Sequence, residues 1–190
     1  MSMKSPNSLF EPIMGFANDF ITLCEQVYGH KPYIEKDDEW PSPCICGERD
    51  SENDYWQPAP IKDSLTFANV EEALGVKLHP SVVEYFTSIY SEPVPAKTED
   101  GLLELLFAWN IDDFDRLQRN IIGHVLMKQK LKQPVTIFFA VTDVDDIILS
   151  VDNESGEVWA EKVGKKPHKK IASSMAEFLE NIENYVAEPQ

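Results

Sequence analysis

The sequence predicts an α+β protein of one domain, with a mainly antiparallel sheet and helices packed around it. Three observations support this fold class: a capped helix over residues 110–133, a meander of three strands over residues 135–163, and amphipathic helices towards both ends. A chain of 190 residues has the usual length of one domain. We therefore expect a single domain over residues 1–190, in which residues 1–12 could form a disordered N-terminal extension.

The first part of the chain is predicted to contain a long helix and then an ordered loop. Apolar residues recur at helical spacing from Ile13 to Val27, and Gly29 can end that helix. Residues 30–60 contain five prolines, which argue against regular structure. The same stretch contains four large aromatic residues: Tyr33, Trp40, Tyr55 and Trp56. Because disordered linkers have few aromatic residues, we expect a loop anchored by its rings.

Shorter elements are predicted before the central helix. The patterns indicate a helix from Asn69 that Gly75 ends, a helix from Ser81 to Tyr90, a charged loop over 91–101 and a strand over 102–107. Asn69 is the expected cap of the first helix. Ser81 and Glu84 are expected to form a capping box for the second, since each side chain can bond a free backbone amide.

The central helix and the meander are the most strongly predicted elements. Asn110 is the expected N-cap, because its side-chain oxygen can accept from free amides of the first turn. Lys128, Lys130 and Lys132 crowd the last turn, as the helix dipole favours. Three strands are expected over residues 135–141, 147–151 and 157–163, then a basic loop over 164–170 and a helix, capped by Ser174, that continues to Tyr185.

The charge of the chain is strongly negative and uneven. The net charge is −16, and residues 1–115 contain 7 Lys and Arg against 22 Asp and Glu, whereas residues 116–190 contain 10 against 11. An acidic surface repels nucleic acids and anionic lipids and attracts basic partners. The alternative is that the charge only keeps the protein in solution. Both interpretations argue against direct binding to DNA, RNA or lipid.

The location of the protein is predicted from two absences in the sequence. No apolar run approaches the roughly 20 residues that a membrane-spanning helix needs. The first residues lack the basic start and apolar core of a signal peptide, so we expect the protein to stay in the cytoplasm.

Catalytic motifs are missing, and we expect a protein that is not an enzyme and needs no cofactor. No nucleophile elbow, phosphate-binding glycine loop or zinc-protease helix is present. His124 lies at the border of the apolar face of the central helix and is interpreted as a hydrogen-bonded core histidine. Asp112 and Asp113 could act as paired acids, but their position at a helix start already explains them.

Metal binding is also not expected. Cys44 and Cys46 together with His30 could be imagined as a site, but the second pair of ligands typical of zinc sites is missing. Cys24, Cys44 and Cys46 are better explained as small buried thiols. The acidic residues at 35–54 lack the alternating pattern and the glycine of calcium loops.

Seven short motifs together resemble the Syd family. In order, they are Trp40-Pro-Ser-Pro-Cys44, Tyr55-Trp-Gln-Pro58, Asp112-Asp-Phe114, Asn120-Ile-Ile-Gly-His124, Lys130-Leu-Lys132, Ser155-Gly-Glu157 and Ala176-Glu-Phe-Leu179. The resemblance covers the chain from about residue 20 to its end. It implies a SUKH-type α+β domain that is peripheral on the cytoplasmic face of the inner membrane. It also implies binding to SecY, the channel subunit of the protein-export translocon, through an acidic groove, with a role in monitoring or regulating SecY assembly.

The residues of the groove are predicted by combining this resemblance with the charge pattern. We expect the groove to be lined by acidic residues of the loop and of the central helix: Asp37, Asp38, Glu39, Glu48, Asp54, Asp112 and Asp113. Trp40, Tyr55 and Trp56 would form its apolar floor or rim, and packing in the core is the alternative for these three. The partner surface would be the basic cytoplasmic loops of the channel.

Two alternatives remain open at this point. The stretch from Asn69 to Tyr90, with its Leu74-Gly-x-x-Leu78 pattern and Phe86, is similar to the opening helices of the wider SUKH superfamily, many of whose members neutralise toxins by binding them. An immunity protein of this kind is therefore the second candidate. The basic loop from Lys165 to Lys170 could contact anionic lipid beside the channel, although a solvated loop explains it equally simply.

Overall fold

Helices lie on both faces of a seven-stranded antiparallel sheet in the computed structural model, which describes residues 8–189. The helices of this part of the chain are α1 (Phe10–Tyr28), α2 (Ala68–Leu74), α3 (Pro80–Phe86), α4 (Ile111–Lys130) and α5 (Met175–Glu180). The strands are β1 (Tyr33–Glu35), β2 (Ile45–Glu48), β3 (Asn53–Trp56), β4 (Ala59–Pro60), β5 (Ile89–Tyr90), β6 (Val94–Thr98), β7 (Gly101–Leu105), β8 (Thr136–Thr142), β9 (Ile147–Asp152), β10 (Val158–Lys162), β11 (Pro167–Ala172) and β12 (Glu183–Asn184). The predicted α+β class is confirmed.

The large sheet contains the predicted meander at its centre. Its strand order is β11-β10-β9-β8-β7-β6-β12, and all neighbouring strands are antiparallel. The sheet is curled, so that one end approaches the other. Lys169 on β11 forms an ion pair with Asp100 in the turn between β6 and β7, although three strands lie between β11 and β7.

The core lies on both faces of this sheet. Consecutive side chains of a strand point to opposite faces. On β8, Phe138 meets the ring of His124 from α4 at 5.4 Å between centroids, whereas Phe139 meets Tyr85 of α3 at 5.5 Å and Phe178 of α5 at 5.2 Å. Helix α4 therefore covers one face, and α3 and α5 pack against the other.

Several predicted helix ends are confirmed. Gly29 and Gly75 end α1 and α2 with φ of 78° and 67°, values that glycine adopts without a Cβ clash. Asn110 caps α4, since its Oδ1 accepts from the Asp113 amide at 2.8 Å, and Ser174 caps α5 in the same way. Helix α1 begins at Phe10, so residues 10–12 are helical, and residues 1–7 of the expected extension lie outside the described residues.

Other predicted caps are wrong. Helix α2 begins at Ala68 with no side-chain cap from Asn69. Helix α3 begins at Pro80, and its cap is His79, whose Nδ1 accepts from the Ser81 amide at 3.2 Å. Glu84 instead accepts from the Leu9 amide at 3.4 Å, so a contact with the N-terminal segment replaces the capping box.

The stretch of residues 30–60, predicted as a loop without regular structure, contains a small antiparallel sheet with the order β1-β3-β2. Four of the five prolines flank its strands rather than interrupting them: Pro32 precedes β1, Pro41 and Pro43 precede β2, and Pro58 follows β3, whereas Pro60 ends β4. Proline is tolerated at such positions because no ladder hydrogen bond is lost.

Four further predictions near the sheet edges are wrong. Residues 94–98 form β6 instead of a loop, and most of the expected basic loop forms the edge strand β11. Helices α3 and α5 end at Phe86 and Glu180, before the short strands β5 and β12. Each of these segments takes its structure from pairing with another strand, which overrides its local pattern: β6 pairs with β7, β11 with β10, β5 with β4 and β12 with β6.

Candidate partner-binding surface

The small sheet is fixed to the rest of the molecule by Trp56. This side chain is 4% exposed, and its ring lies 6.1 Å from the ring of Phe20 on α1 and 6.2 Å from that of Trp109. Trp109 immediately precedes the cap of α4. The small sheet thus packs between the long N-terminal helix and the start of the central helix.

Two hydrogen bonds attach the loop between β1 and β2 to the start of α4. The Ser42 Oγ donates to the Trp109 carbonyl at 2.5 Å, and the Asn110 Nδ2 donates to the Pro41 carbonyl at 2.8 Å. The Asn110 side chain therefore has two roles, since it caps α4 and also holds the loop. Next to these bonds, the ring of Trp40 lies 5.7 Å from the guanidinium carbon of Arg116 on α4.

A cleft of about 660 Å³ lies between this loop, the small sheet and Trp109. The residues that line it come from β1, the loop, β2, β3 and the start of α4: Ile34, Glu35, Lys36, Asp37, Asp38, Trp40, Pro41, Ser42, Ile45, Asp54 and Trp109. Ile45 is one of the large hydrophobic residues exposed to solvent. The cleft therefore combines an aromatic and aliphatic wall with a charged border.

The charges of this cleft are mainly negative. Four of its residues are acidic, namely Glu35, Asp37, Asp38 and Asp54, and its one basic residue is Lys36. The Lys36 Nζ lies 3.2 Å from a Glu48 carboxylate oxygen and 3.8 Å from an Asp54 oxygen, so nearby acids already neutralise it. An excess of carboxylates around an apolar wall favours a basic ligand.

A second recess of about 330 Å³ adjoins the cleft, and Trp40 and Trp109 line both. Its acidic residues are Glu92 and Asp113. Burial raises the pKa of the Glu92 carboxyl above its ordinary value, and the negative charges of Asp113 and Glu104 raise it further. The recess extends the acidic surface from the small sheet to the end of β7 and the first turns of α4.

Comparison with known proteins identifies the family. The family model described as Syd protein (SUKH-2) matches residues 11–184. The chain belongs to the Syd family. A protein of Colwellia psychrerythraea named Protein Syd is 50% identical over 198 residues, which cover 98% of this chain and 99% of that protein. Proteins with the same name from Alteromonas mediterranea and Pseudoalteromonas atlantica are 47% and 44% identical, over 83% and 79% of this chain and 88% and 82% of those proteins.

Half of the predicted groove residues of this Syd-family chain line the two depressions. Asp37, Asp38, Trp40 and Asp54 line the cleft, and Asp113 lines the adjoining recess. Asp113 also has a structural role: its carboxylate accepts from the Trp109 amide at 2.8 Å and lies 2.5 Å from Arg116. Carboxylates of the loop and of the helix start are thus neighbours in space, separated mainly by Trp40.

The other predicted residues lie elsewhere. Glu39 and Asp112 are exposed outside both depressions, and Glu48 reaches the cleft only through its ion pair with Lys36. Tyr55 lies next to the ring of His30, at 6.2 Å, and does not line the cleft. The proposal that Trp56 forms a floor or rim for the partner is wrong, because this ring is buried in the core.

Sequence reasoning did not single out Glu92 as a site residue. This residue follows β5 in a segment predicted to be a charged loop, 21 positions before Asp113. The two meet because the β6–β7 hairpin returns the chain to the start of α4. No local sequence pattern predicts this contact between Glu92 and Asp113. Asp37 and Asp38 could be predicted because they lie close to Trp40 in the sequence.

Neither a metal-binding cluster nor a membrane-spanning helix is found in the part of the chain that the structure describes. Among residues 8–189, no group of three or more His, Cys, Asp and Glu is placed to hold a metal ion. Cys24 and Cys44 are buried as predicted, whereas Cys46 is exposed, so the prediction of a buried thiol is wrong for Cys46. Within the same residues, no helix is long and apolar enough to span a membrane.

Proposed function

We propose that this Syd-family protein binds the basic cytoplasmic loops of SecY through its acidic cleft, and that it thereby monitors or regulates the assembly of the translocon. It would act without catalysis, as a peripheral protein at the cytoplasmic face of the inner membrane. The observation that carries the proposal is the cleft of about 660 Å³, in which acidic residues surround Trp40 and Ile45. Family membership supplies the choice of SecY.

Charge explains how a protein of net charge −16 could approach a membrane. Anionic lipids repel such a protein, but the cytoplasmic loops of membrane proteins are enriched in Lys and Arg. Attraction between these loops and the cleft would accelerate the encounter and orient the partners. Membrane association would then depend on the protein partner rather than on lipid.

Apolar contacts would supply the specificity. Charges at the rim of an interface contribute mainly to the association rate, whereas central aromatic residues often contribute most of the affinity. Trp40 is half-buried in the border between the two depressions, and Ile45 is 38% exposed in the cleft wall. We therefore expect them to contact apolar atoms of the bound loops.

The proposal is tested by binding to purified SecY in lipid nanodiscs. The double variant Asp37→Asn/Asp38→Asn removes two carboxylates of the cleft and should lower the association rate by about fivefold at low salt. Raising the ionic strength should slow association of the unmodified protein strongly and of the variant less, because salt screens the charges that steer the encounter.

The matched control removes the same charge elsewhere. Asp145 and Glu154 are exposed acidic residues in the turns after β8 and β9, away from the cleft. The variant Asp145→Asn/Glu154→Gln should bind SecY like the unmodified protein. Equal loss in both variants would show that only net charge matters, and undiminished binding by the cleft variant would refute the proposed surface.

A further inference from the structure

The recess beside the cleft contains a half-buried carboxylate next to aromatic rings. Trp40, Phe107 and Phe138 contribute rings to its wall, and Glu92 contributes the carboxylate. A volume of about 330 Å³ is at the lower end of the range for ligand sites. The recess therefore suits one long side chain rather than a whole secondary-structure element.

Glu92 is not neutralised by the protein itself. Over residues 8–189, its side chain makes neither an ion pair nor a hydrogen bond, and the charged residues that act on it are the acidic Asp113 and Glu104. Arg116, the basic residue of the recess, is paired with Asp113 instead. A partly desolvated carboxylate without a cation is unfavourable in the free protein and favours an incoming positive charge.

Arg116 shows which cation this environment accommodates. Its guanidinium lies 2.5 Å from the Asp113 carboxylate and 5.7 Å from the centroid of the Trp40 ring. One arginine of the protein is thus already held between a carboxylate and an indole. A planar guanidinium suits this pairing better than an ammonium group, because it can bond a carboxylate through two N–H groups while stacking on a ring.

We propose that an arginine side chain of the bound partner inserts into this recess, pairs with Glu92 and packs against the rings of Trp40, Phe107 and Phe138. The inference rests on the proposed function and deepens it, since it assigns the central anchor of a basic loop to arginine rather than lysine. Buried arginine and tryptophan contacts are typical of the residues that dominate binding.

The direct test uses two peptides as probes. Fluorescein-labelled Gly-Arg-Gly-Arg-Gly and its lysine counterpart are titrated with the full chain and with its Glu92→Gln variant. The arginine peptide should bind the unmodified protein about fivefold more tightly than the lysine peptide. Glu92→Gln should weaken the arginine peptide about tenfold and remove its advantage over lysine.

Glu104→Gln is the matched control. Glu104 is an exposed acidic residue that acts on Glu92 but does not line the recess, so its variant loses the same charge nearby. It should change either affinity less than twofold and preserve the preference for arginine. If Glu92→Gln and Glu104→Gln behave alike, or if lysine binds as tightly as arginine, the proposed pocket is refuted.

Two further measurements keep the test decisive. The indole N–H resonance of Trp40 should shift on addition of the arginine peptide, while that of Trp159 should not, since this group already donates to Glu157 outside the recess. Glu92→Gln should unfold at no lower temperature than the unmodified protein, because it removes an unpaired charge. A shift at Trp159 alone would place the peptide elsewhere and overturn the inference.

The SecY experiment separates this inference from the proposed function. Loss of SecY binding in Asp37→Asn/Asp38→Asn with full binding in Glu92→Gln would refute the arginine pocket and leave the acidic cleft supported. Loss of peptide binding in Glu92→Gln, with SecY bound equally by every variant, would support a pocket for arginine but refute SecY as its partner.

Discussion

At the scale of single residues, a network of charged and polar groups is buried beneath α4. Lys128 and Glu161 are both fully buried, with 3.4 Å between the Lys128 Nζ and the Glu161 Oε1. Lys128 also donates to the Lys165 carbonyl at 2.9 Å, and Thr136 donates to the same Glu161 oxygen at 3.0 Å. The sequence pattern grouped Lys128 with Lys130 and Lys132 as charges that suit the helix end, and it gave no sign that Lys128 is buried.

Removing one partner of this pair should destabilise the fold strongly. Lys128→Met leaves the Glu161 carboxylate buried without a cation and should cost about 3 kcal/mol of the free energy of unfolding. Lys128→Met/Glu161→Met removes both charges and should recover much of that loss, because an apolar pair needs no neutralisation. Urea denaturation of the two single variants and the double variant measures the coupling. Additive losses would contradict a direct interaction between the two residues.

The titration of His124 should make the stability of the fold depend on pH in a direction that can be stated. The interpretation as a hydrogen-bonded core histidine is confirmed, since its Nε2 lies 3.2 Å from the Thr136 hydroxyl. Burial and the charge of Lys128 lower the pKa of His124 to about 4. Below its unfolded pKa of about 6.5 the unfolded chain binds a proton that the folded protein excludes, so stability falls as the pH is lowered from 6.5 towards 4.

The contribution of His124 can be isolated by comparing the protein with its His124→Gln variant. Burial raises the pKa of Glu161, and a raised carboxyl pKa increases stability as the pH falls, which is opposite to the effect of His124. The contribution of His124 is therefore measured as the difference between the pH profiles of the unmodified protein and the variant. From pH 6.5 to pH 4, the unmodified protein should lose roughly 3 kcal/mol more unfolding free energy than the variant. Parallel profiles would show that His124 titrates normally in the folded state.

At the scale of elements, the acidic cleft depends on how the loop after β1 is attached to α4. The Ser42 hydroxyl donates to the Trp109 carbonyl and accepts from the Cys44 amide at 3.0 Å. It therefore links the loop both to the helix start and to its own turn. The position of Trp40, two residues earlier, follows from this attachment.

Ser42→Ala should loosen the loop while leaving the fold intact. Loss of the two hydrogen bonds should cost about 1 kcal/mol and accelerate amide hydrogen exchange across residues 37–44. Exchange in the meander should stay unchanged. The control is Ser64→Ala, because Ser64 is an exposed serine outside the cleft. Unchanged exchange in residues 37–44 would show that the remaining attachments of this loop, which include the bond from Asn110 to the Pro41 carbonyl, hold it without Ser42.

At the scale of the whole molecule, the sequence predicted the elements with strong local signals. The α4 helix, the meander and the glycine-ended helices carry their own caps and periodicities, and they were found as expected. The strands β1, β2, β6 and β11 are short, polar or next to prolines, so their own residues carry weak strand signals even where the partner is the next strand along the chain. Their pairing could not be predicted from local propensity.

In the candidate site, too, the residues marked by a local sequence pattern were predicted and those brought together only by the fold were not. Asp37, Asp38 and Trp40 are neighbours in the sequence, so the charge pattern and the resemblance to the Syd family predicted them together. A surface role and packing in the core both stay open for Trp56 in the sequence, because one sequence cannot distinguish the two faces of an unexpected strand. Glu92 reaches the recess only through the hairpin of β6 and β7 and the start of α4.

Site-specific photocrosslinking tests the central claim most directly. A photoreactive residue at Ile45 lies in the cleft, whereas one at Val163 lies in the turn after β10, and both positions are exposed. With membranes that contain the translocon, the account predicts a crosslink to SecY from Ile45 and none from Val163. A crosslink from Val163 without one from Ile45 would contradict it.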